Sequence, residues 1–387
     1  MSIHPGATSI YLDNAATTPV RPEVLEAMLP YLTGVFGNPS SHHTVGERAA
    51  QVLADSRARV AAVFGMRQGD VVFTSGGTEA NNLAVKGIGI AAQLGRDAGH
   101  LVTTPIEHES ILESADYLAR VHGFEVTRVP VDAAGTVDPA AIAASLRDDT
   151  ALVSVGYANN EVGTIQDVAA ISALARERRI PVHVDAVQAA GWLPLSGLGA
   201  DAISIAGHKI GAPKGTGALV VRGRVPLEPL MHGGGQERGR RSGTEHVAGA
   251  VALATALDLA EADRAEASVR VAALRDEFIA RVLDRVPSAV LTGHPVNRLP
   301  GTASFTFAGT SGEAVLLELE RRGVVSSSGS ACAAGSDDPS HVLVAMGIAP
   351  EVAQTAVRFT LAHDSTQSLG AVADAVAASV AAVGSTG

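Results

Sequence analysis

Residues 150–186 determine the fold class of this chain; they read TALVSVGYANNEVGTIQDVAAISALARERRIPVHVDA. Residues 150–158 and 180–186 are short apolar runs rich in β-branched side chains, which predicts two buried strands. Residues 167–179 lie between them and have the composition of a helix. Strands of this kind that alternate with helices are typical of a parallel sheet covered by helices on both faces.

The same alternation extends through the first two thirds of the chain. Further strands are predicted in five segments, namely residues 70–75, 100–105, 124–130, 201–207 and 217–222. A different pattern begins at His246: neither Pro nor Gly occurs between Gly249 and Pro287, and apolar residues recur at helical spacing. We expect one long helix there, or two stacked end to end, which leads into a second, smaller domain with strands near residues 302–307 and 356–361. The chain is therefore predicted to be an α/β protein.

Length, composition and charge exclude several classes of protein. A chain of 387 residues, of which 46% are hydrophobic and 18% charged, fits a soluble protein of about two domains. The formal net charge of -11 argues against non-specific binding to nucleic acid or anionic membranes. We find no signal peptide and no apolar run long enough for a bilayer, so we expect a cytoplasmic protein. One cysteine, Cys332, excludes an internal disulfide and a cysteine-based zinc site within one chain.

Lys209 is the first candidate for chemistry. Only three of the 29 basic Lys and Arg residues are lysines, and Lys209 follows a predicted strand, between His208 and a glycine-rich turn. A partly buried lysine can lose its proton and become a nucleophilic amine, which an arginine does not readily do. A lysine at this place could also bind a phosphate or simply be solvated.

Two further features accompany Lys209. A predicted strand runs into Gly76, Gly77 and Thr78 and then directly into a helix, which can cradle a phosphate but is also an ordinary capped turn. Asp185 ends an apolar strand, where doubly wound sheets bind ligands, although an aspartate there also caps helices. A phosphate cradle, a strand-end carboxylate and a lysine are together the three anchors of pyridoxal 5′-phosphate.

The candidate residues Lys209, Asp185 and Cys332 and the Gly76–Thr78 turn lie within motifs through which nearly the whole chain resembles the NifS/IscS-type cysteine desulfurases of the class V aminotransferase family. The motifs are YLDNAATTP (11–19), FGNPSS (36–41), FTSGGTEANNLA (73–84), EHES (107–110), NNEVGTIQD (159–167), HVDAVQ (183–188), GHKIGAPKGTGAL (207–219), HGGGQERGRRSGT (232–244), SSGSAC (327–332) and RFTL (358–361). The resemblance implies a fold-type I architecture. A large coenzyme-binding domain, residues 17–261, would hold a mostly parallel seven-stranded sheet. Residues 1–16 and 262–387 would form a smaller α+β domain carrying the Cys332 loop.

The resemblance also implies a set of site residues and no metal. Catalytic roles fall to Lys209, Cys332 and His108. The coenzyme would be held by Gly77, Thr78, His108, Asp185, Gln188, His208, Lys209 and Thr244, and the substrate by Asn159 and Arg358. Thr244 would come from the second subunit of a homodimer. Lys209 is expected to remove the α-proton of L-cysteine, and His108 to stack on the coenzyme ring and assist proton transfer.

The thiol of Cys332 is then expected to take the sulfur of L-cysteine, which leaves a persulfide and releases alanine. The cysteine lies in a Ser/Gly/Ala-rich loop, where composition alone would equally fit an incidental small residue. A sulfur-acceptor protein, in iron–sulfur cluster assembly or tRNA thiolation, would complete the transfer. Family members that serve a dedicated scaffold often have a longer tail than AVADAVAASVAAVGSTG (371–387), so the acceptor stays open.

One residue departs from the family pattern, and two other functions stay open. Ala206 stands where the family usually has a serine or threonine on the coenzyme phosphate, so one hydrogen bond of about 0.5–1.5 kcal/mol is lost or replaced. The same fold and coenzyme also fit a selenocysteine lyase or another class V lyase or aminotransferase. A scaffold protein without activity is a further alternative, which the intact Lys209, Asp185 and Cys332 disfavour.

Overall fold

A seven-stranded sheet forms the centre of the larger part of the structure, a computed structural model that describes residues 9–328 and 338–384. The described residues form the following strands, which belong to three sheets: β1 (Ile10–Tyr11), β2 (Val71–Thr74), β3 (His100–Thr103), β4 (Glu125–Arg128), β5 (Thr150–Gly156), β6 (Val182–Asp185), β7 (Ala202–Ala206), β8 (Gly217–Val221), β9 (Ala289–Leu291), β10 (Thr302–Phe307), β11 (Val324–Val325) and β12 (Val357–Thr360). All the strands predicted from the sequence contain one of these.

The large sheet has the strand order β2-β8-β7-β6-β5-β3-β4. Strands β3 to β7 are parallel to their neighbours among themselves, whereas β8 is antiparallel to both β7 and β2. The reason is the connection: β7 and β8 are joined by residues 207–216, which is too short for the crossover helix that parallel strands require. The prediction of a mostly parallel α/β sheet is confirmed.

Helices cover both faces of this sheet, and others pack in the smaller part of the structure. They are α1 (Pro22–Met28), α2 (Pro30–Thr33), α3 (Thr44–Val63), α4 (Gly77–Asn82), α5 (Ile88–Arg96), α6 (Glu109–His122), α7 (Pro139–Ala144), α8 (Val168–Glu177), α9 (Val247–Arg285), α10 (Gly312–Arg321), α11 (His341–Ala345), α12 (Pro350–Ala353) and α13 (Gly370–Gly384). A π-helical turn, Leu83–Gly87, joins α4 to α5. None of the helices in the described ranges is long and apolar enough to cross a membrane.

The long helix α9 connects two hydrophobic cores. Its first half, from Ala248 to Ala260, is buried in the core of the large sheet. Its second half, from Val271 to Val282, is buried against β10, β12 and α13 in a separate core. Strands β9, β10 and β12 form an antiparallel sheet there. We propose that the two domains divide within α9 near residue 261, because the buried side chains change core between Ala260 and Val271.

The parallel strands bring three chain segments to one edge of the large sheet. Gly156 at the end of β5 pairs with Asp185 at the end of β6, and Asp185 pairs with Ser204 near the end of β7. The turns that follow these strands therefore open at the same edge. A Gly207–Lys209 3₁₀ turn directly after β7 places Lys209 there as well.

Candidate active site

A cavity of about 370 Å³ lies at this edge of the sheet. Nine of the residues predicted for the site line it: Gly77, Thr78, His108, Asn159, Asp185, Gln188, His208, Lys209 and Arg358. Thr244 is exposed and does not line the cavity. Cys332 lies outside the described residues. The structure thus brings together residues that are up to 281 positions apart in the chain (358 − 77).

The Lys209 amine points towards the segment that precedes α1. Its Nζ donates to the carbonyl oxygens of Ala15 at 2.5 Å and Ala16 at 2.8 Å. Gln188 Nε2 donates to the Ala15 carbonyl as well, at 3.1 Å. The segment from Leu12 is itself fixed against β12, because the Ala15 N–H donates to Thr360 Oγ1 at 2.8 Å. Sequence reasoning missed these two carbonyls, since backbone acceptors carry no signal in residue type.

Two carboxyl groups in the cavity have opposite environments. Asp185 accepts two N–H groups, from Asn81 Nδ2 to Oδ2 at 2.7 Å and from the Val187 amide to Oδ1 at 2.9 Å. Glu107 is buried, and this burial, with a smaller contribution from the negative charge of Asp185, raises its pKa to about 8 although Thr104 donates to it. Burial thus keeps Glu107 neutral near pH 7, in the same cavity as the hydrogen-bonded carboxyl group of Asp185. Glu107 was not predicted, although it precedes His108 in the same motif.

The amino end of α4 forms part of the cavity wall. Its cap residue, Gly76, provides no side-chain hydrogen bond, so the first N–H groups of the helix have no side-chain partner there. A Cβ on Gly77 would lie 2.7 Å from Val187 Cγ2, so only glycine allows this close approach of the backbone. The Ala206 methyl lies beside it, 3.3 Å from the same position. Beside Lys209, burial lowers the pKa of His208 to about 4, with smaller contributions from nearby lysines, so its imidazole is neutral near pH 7.

Arg358 lies on β12 and lines the cavity. Its side chain is 3% exposed and donates to Asp13 Oδ1 and to the Asn160 carbonyl, both at 2.8 Å. The Nε atom has no hydrogen-bond partner among the described residues. Each terminal nitrogen of the guanidinium carries two N–H groups, so an arginine held by one N–H of each can still receive a carboxylate group. Asp13 was not predicted as its partner.

Two polar side chains of the cavity also fix backbone turns. Asn159 Oδ1 accepts the N–H groups of Glu161 and Val162, and its Nδ2 donates to the Ile106 carbonyl at 2.9 Å. His108 caps α6: its Nδ1 accepts the Ser110 N–H at 3.0 Å and lies 2.8 Å from Ser110 Oγ. Nδ1 is therefore an acceptor, so the N–H of the ring lies on Nε2.

These groups fit pyridoxal 5′-phosphate. The coenzyme requires an amine for its aldehyde, an anion for its ring nitrogen and N–H donors for its phosphate. Lys209, Asp185 and the uncapped start of α4 supply these groups around one cavity. Among the described residues, no cluster of histidine, cysteine, aspartate or glutamate could hold a metal ion.

Comparison with known proteins agrees with this chemistry. Residues 10–368 match the aminotransferase class-V family. An IscS-like cysteine desulfurase of Mycobacterium tuberculosis is 45% identical over 393 aligned positions, which cover 97% of this chain and 99% of that protein. The cysteine desulfurase IscS of Dictyoglomus turgidum is 44% identical over 91% of this chain and 89% of its own. A solved NifS-like protein is 35% identical, with a TM-score of 0.86 over 98% of this chain and 99% of its own.

Proposed function

Because the chain belongs to the class V aminotransferase family, as a cysteine desulfurase of the IscS type, we propose that its cavity holds pyridoxal 5′-phosphate and that the sulfur of L-cysteine passes to Cys332. The observation that carries this proposal is the convergence of Lys209, Asp185 and the start of α4 on one cavity. Arg358 lines the same cavity and supplies a guanidinium for the carboxylate of an amino-acid substrate. When bound, the coenzyme supplies an electron sink for negative charge at the substrate carbons.

Each residue has a definite task in this proposal. Arg358 receives the substrate carboxylate through its N–H groups, while Asp13 and the Asn160 carbonyl keep the guanidinium in place. Asp185, which accepts two N–H groups, holds the negative charge that keeps the coenzyme's ring nitrogen protonated. Lys209 binds the coenzyme and then removes the α-proton. His108, which lines the cavity, assists the transfer of protons to and from the substrate.

The sulfur transfer is balanced without an added oxidant. The C–S bond of L-cysteine breaks, an S–S bond forms to Cys332 Sγ, and the carbon that loses sulfur gains a proton, which gives L-alanine and a persulfide. Cys332 is the only thiol in the chain, so it is the only residue that can accept the sulfur in this way. We propose that an acceptor protein then takes the terminal sulfur.

Two variants test this assignment. Lys209→Ala is expected to abolish the visible absorbance of the coenzyme-loaded protein, because no other amine replaces the link to Lys209. Cys332→Ser is expected to retain that absorbance and to lose the added sulfur that mass spectrometry detects on Cys332 after L-cysteine is supplied. Normal sulfide release by Cys332→Ser would contradict the assignment of the acceptor.

A homodimer is part of the proposal, because Thr244 does not reach the cavity of its own subunit. Large apolar side chains are exposed around α1 and α2: Leu25 (53%), Leu29 (53%), Leu32 (52%) and Phe36 (74%). Four such residues within one short stretch favour a surface that a second protein covers. We propose that a second copy of the chain covers this surface. Thr244 of each subunit would then reach the coenzyme phosphate of the other subunit.

Subunit mixing tests the exchange of Thr244. In a mixed dimer of Lys209→Ala with Thr244→Ala, a crossed Thr244 leaves one site with both native residues. We therefore expect one of the two sites of each mixed dimer to bind coenzyme with native affinity. If Thr244 acts within its own subunit, each site of the mixed dimer lacks one residue and no native site is restored.

A further inference from the structure

Asn81 is a buried amide to which neither the motifs nor the proposed function gives a role. It lies at the end of α4, lines the cavity and is 2% exposed. Its Nδ2 donates to Asp185 Oδ2 at 2.7 Å and to Ser110 Oγ at 3.0 Å. Ser110 Oγ lies in turn 2.8 Å from His108 Nδ1. One amide group therefore joins the helix that begins at the phosphate cradle to the carboxylate and to the imidazole of the site.

The contacts of Asp185 show what this amide contributes. The Val187 N–H binds one carboxylate oxygen and Asn81 binds the other, so together they fix the plane of the carboxylate. Asp185 is 9% exposed, and water therefore replaces a lost donor poorly. Glu107 also lines the cavity, and burial keeps it neutral near pH 7. Asp185 is thus the cavity carboxyl group that the Asn81 amide orients.

We propose that Asn81 is a positioning residue that holds Asp185 in the orientation that the coenzyme's ring nitrogen requires. Ser110 Oγ accepts an N–H of the same amide, so Asn81 Nδ2 donates to both Asp185 and Ser110. This inference rests on the proposed function, because Asp185 is the group through which Asn81 acts. Asn81 itself touches neither substrate nor coenzyme in this role.

The test compares substitutions that remove each contact separately. Asn81→Leu keeps the branching at Cγ, introduces no charge and removes both hydrogen bonds; Asn81→Ala removes them without any risk of overpacking. Ser110→Ala removes the contact with Ser110 but leaves the bond to Asp185. Asn82→Leu is the matched control, because the Asn82 amide donates to the Thr78 carbonyl of its own helix. Each variant is titrated with pyridoxal 5′-phosphate, and the pH midpoint of its visible absorbance is measured without substrate.

We expect Asn81→Leu and Asn81→Ala to bind the coenzyme about tenfold more weakly or worse, since a hydrogen bond to a carboxylate is lost. Their absorbance midpoint is expected to shift, which a purely structural residue would not cause. Ser110→Ala and Asn82→Leu are expected to stay within about threefold of the wild type.

The inference is overturned if both Asn81 variants fold, bind coenzyme within threefold of the wild type and keep its midpoint. It is also overturned if Ser110→Ala reproduces their loss. A wild-type protein that fails to bind coenzyme would instead refute the proposed function.

Discussion

A buried ion pair fixes the loop that carries Thr244, and breaking this pair is the perturbation we develop first. Arg57 on α3 donates to both carboxylate oxygens of Glu237, at 2.5 and 2.8 Å, and the two side chains are only 7% and 3% exposed. Arg57 also donates to the Val71 carbonyl of β2, and Glu237 accepts the Phe73 N–H at 3.2 Å. The pair thus ties residues 232–244 to the edge of the large sheet.

The magnitude follows from burial and backbone conformation. Removal of one partner from a buried pair costs about 3–5 kcal/mol, because the other charge stays buried without compensation. Glu237 and Arg238 have φ angles of 50° and 59°, in the left-handed region that costs roughly 1–2 kcal/mol per residue. Detachment of the loop releases this strain and hydrates the remaining charge. We therefore expect Arg57→Met and Glu237→Gln each to lower the free energy of unfolding by about 3 kcal/mol, at the lower end of that range.

Urea denaturation of the two single variants and the double variant measures this effect. We expect the double variant to lose much less than the sum of the two, because no unpaired charge is left buried. Arg59→Met on the same helix is the control: its pair with Asp258 is 40% and 43% exposed and is worth about 0–1 kcal/mol. A loss below about 1 kcal/mol for Arg57→Met, with strict additivity in the double variant, would refute the reasoning.

Three further predictions concern the cavity. Ala206→Ser restores a hydroxyl beside the cradle and is expected to tighten coenzyme binding by about 2- to 13-fold, the equivalent of about 0.5–1.5 kcal/mol; an unchanged dissociation constant in a coenzyme titration would contradict it. Arg358→Lys removes the planar fork and is expected to raise KM for L-cysteine at least tenfold, with the visible absorbance of the coenzyme unchanged. Glu107 has a folded-state pKa of about 8, above its ordinary value of 4.5, so its contribution to stability is complete below pH 4.5 and is lost as the pH rises through about 8. The unfolding temperature of Glu107→Gln should therefore fall less than that of the wild type as the pH rises between these values. Parallel curves of unfolding temperature against pH would show that Glu107 is ionised in the folded protein.

The sequence alone determined the architecture, because each element is encoded by neighbouring residues. Apolar β-branched runs located the strands of the large sheet, and the interval without Pro or Gly located α9. Lys209, Asp185 and the Gly76–Gly77 turn were identified in the same way, since each follows a strand whose end is visible in the sequence.

Tertiary structure alone decided how those residues are held. Asn81 lies 104 positions from the carboxylate it binds, the Ala15 carbonyl 194 from the Lys209 amine, and Asp13 345 from Arg358. Such partners are common polar groups or backbone atoms, and although they lie within the quoted motifs, nothing in those motifs shows which distant residue each one contacts. The burial that keeps Glu107 neutral is likewise a property of the assembled cavity. Hydrogen bonds and desolvation depend on distance in space, and only the packed sheet brings these distant segments within reach of one another.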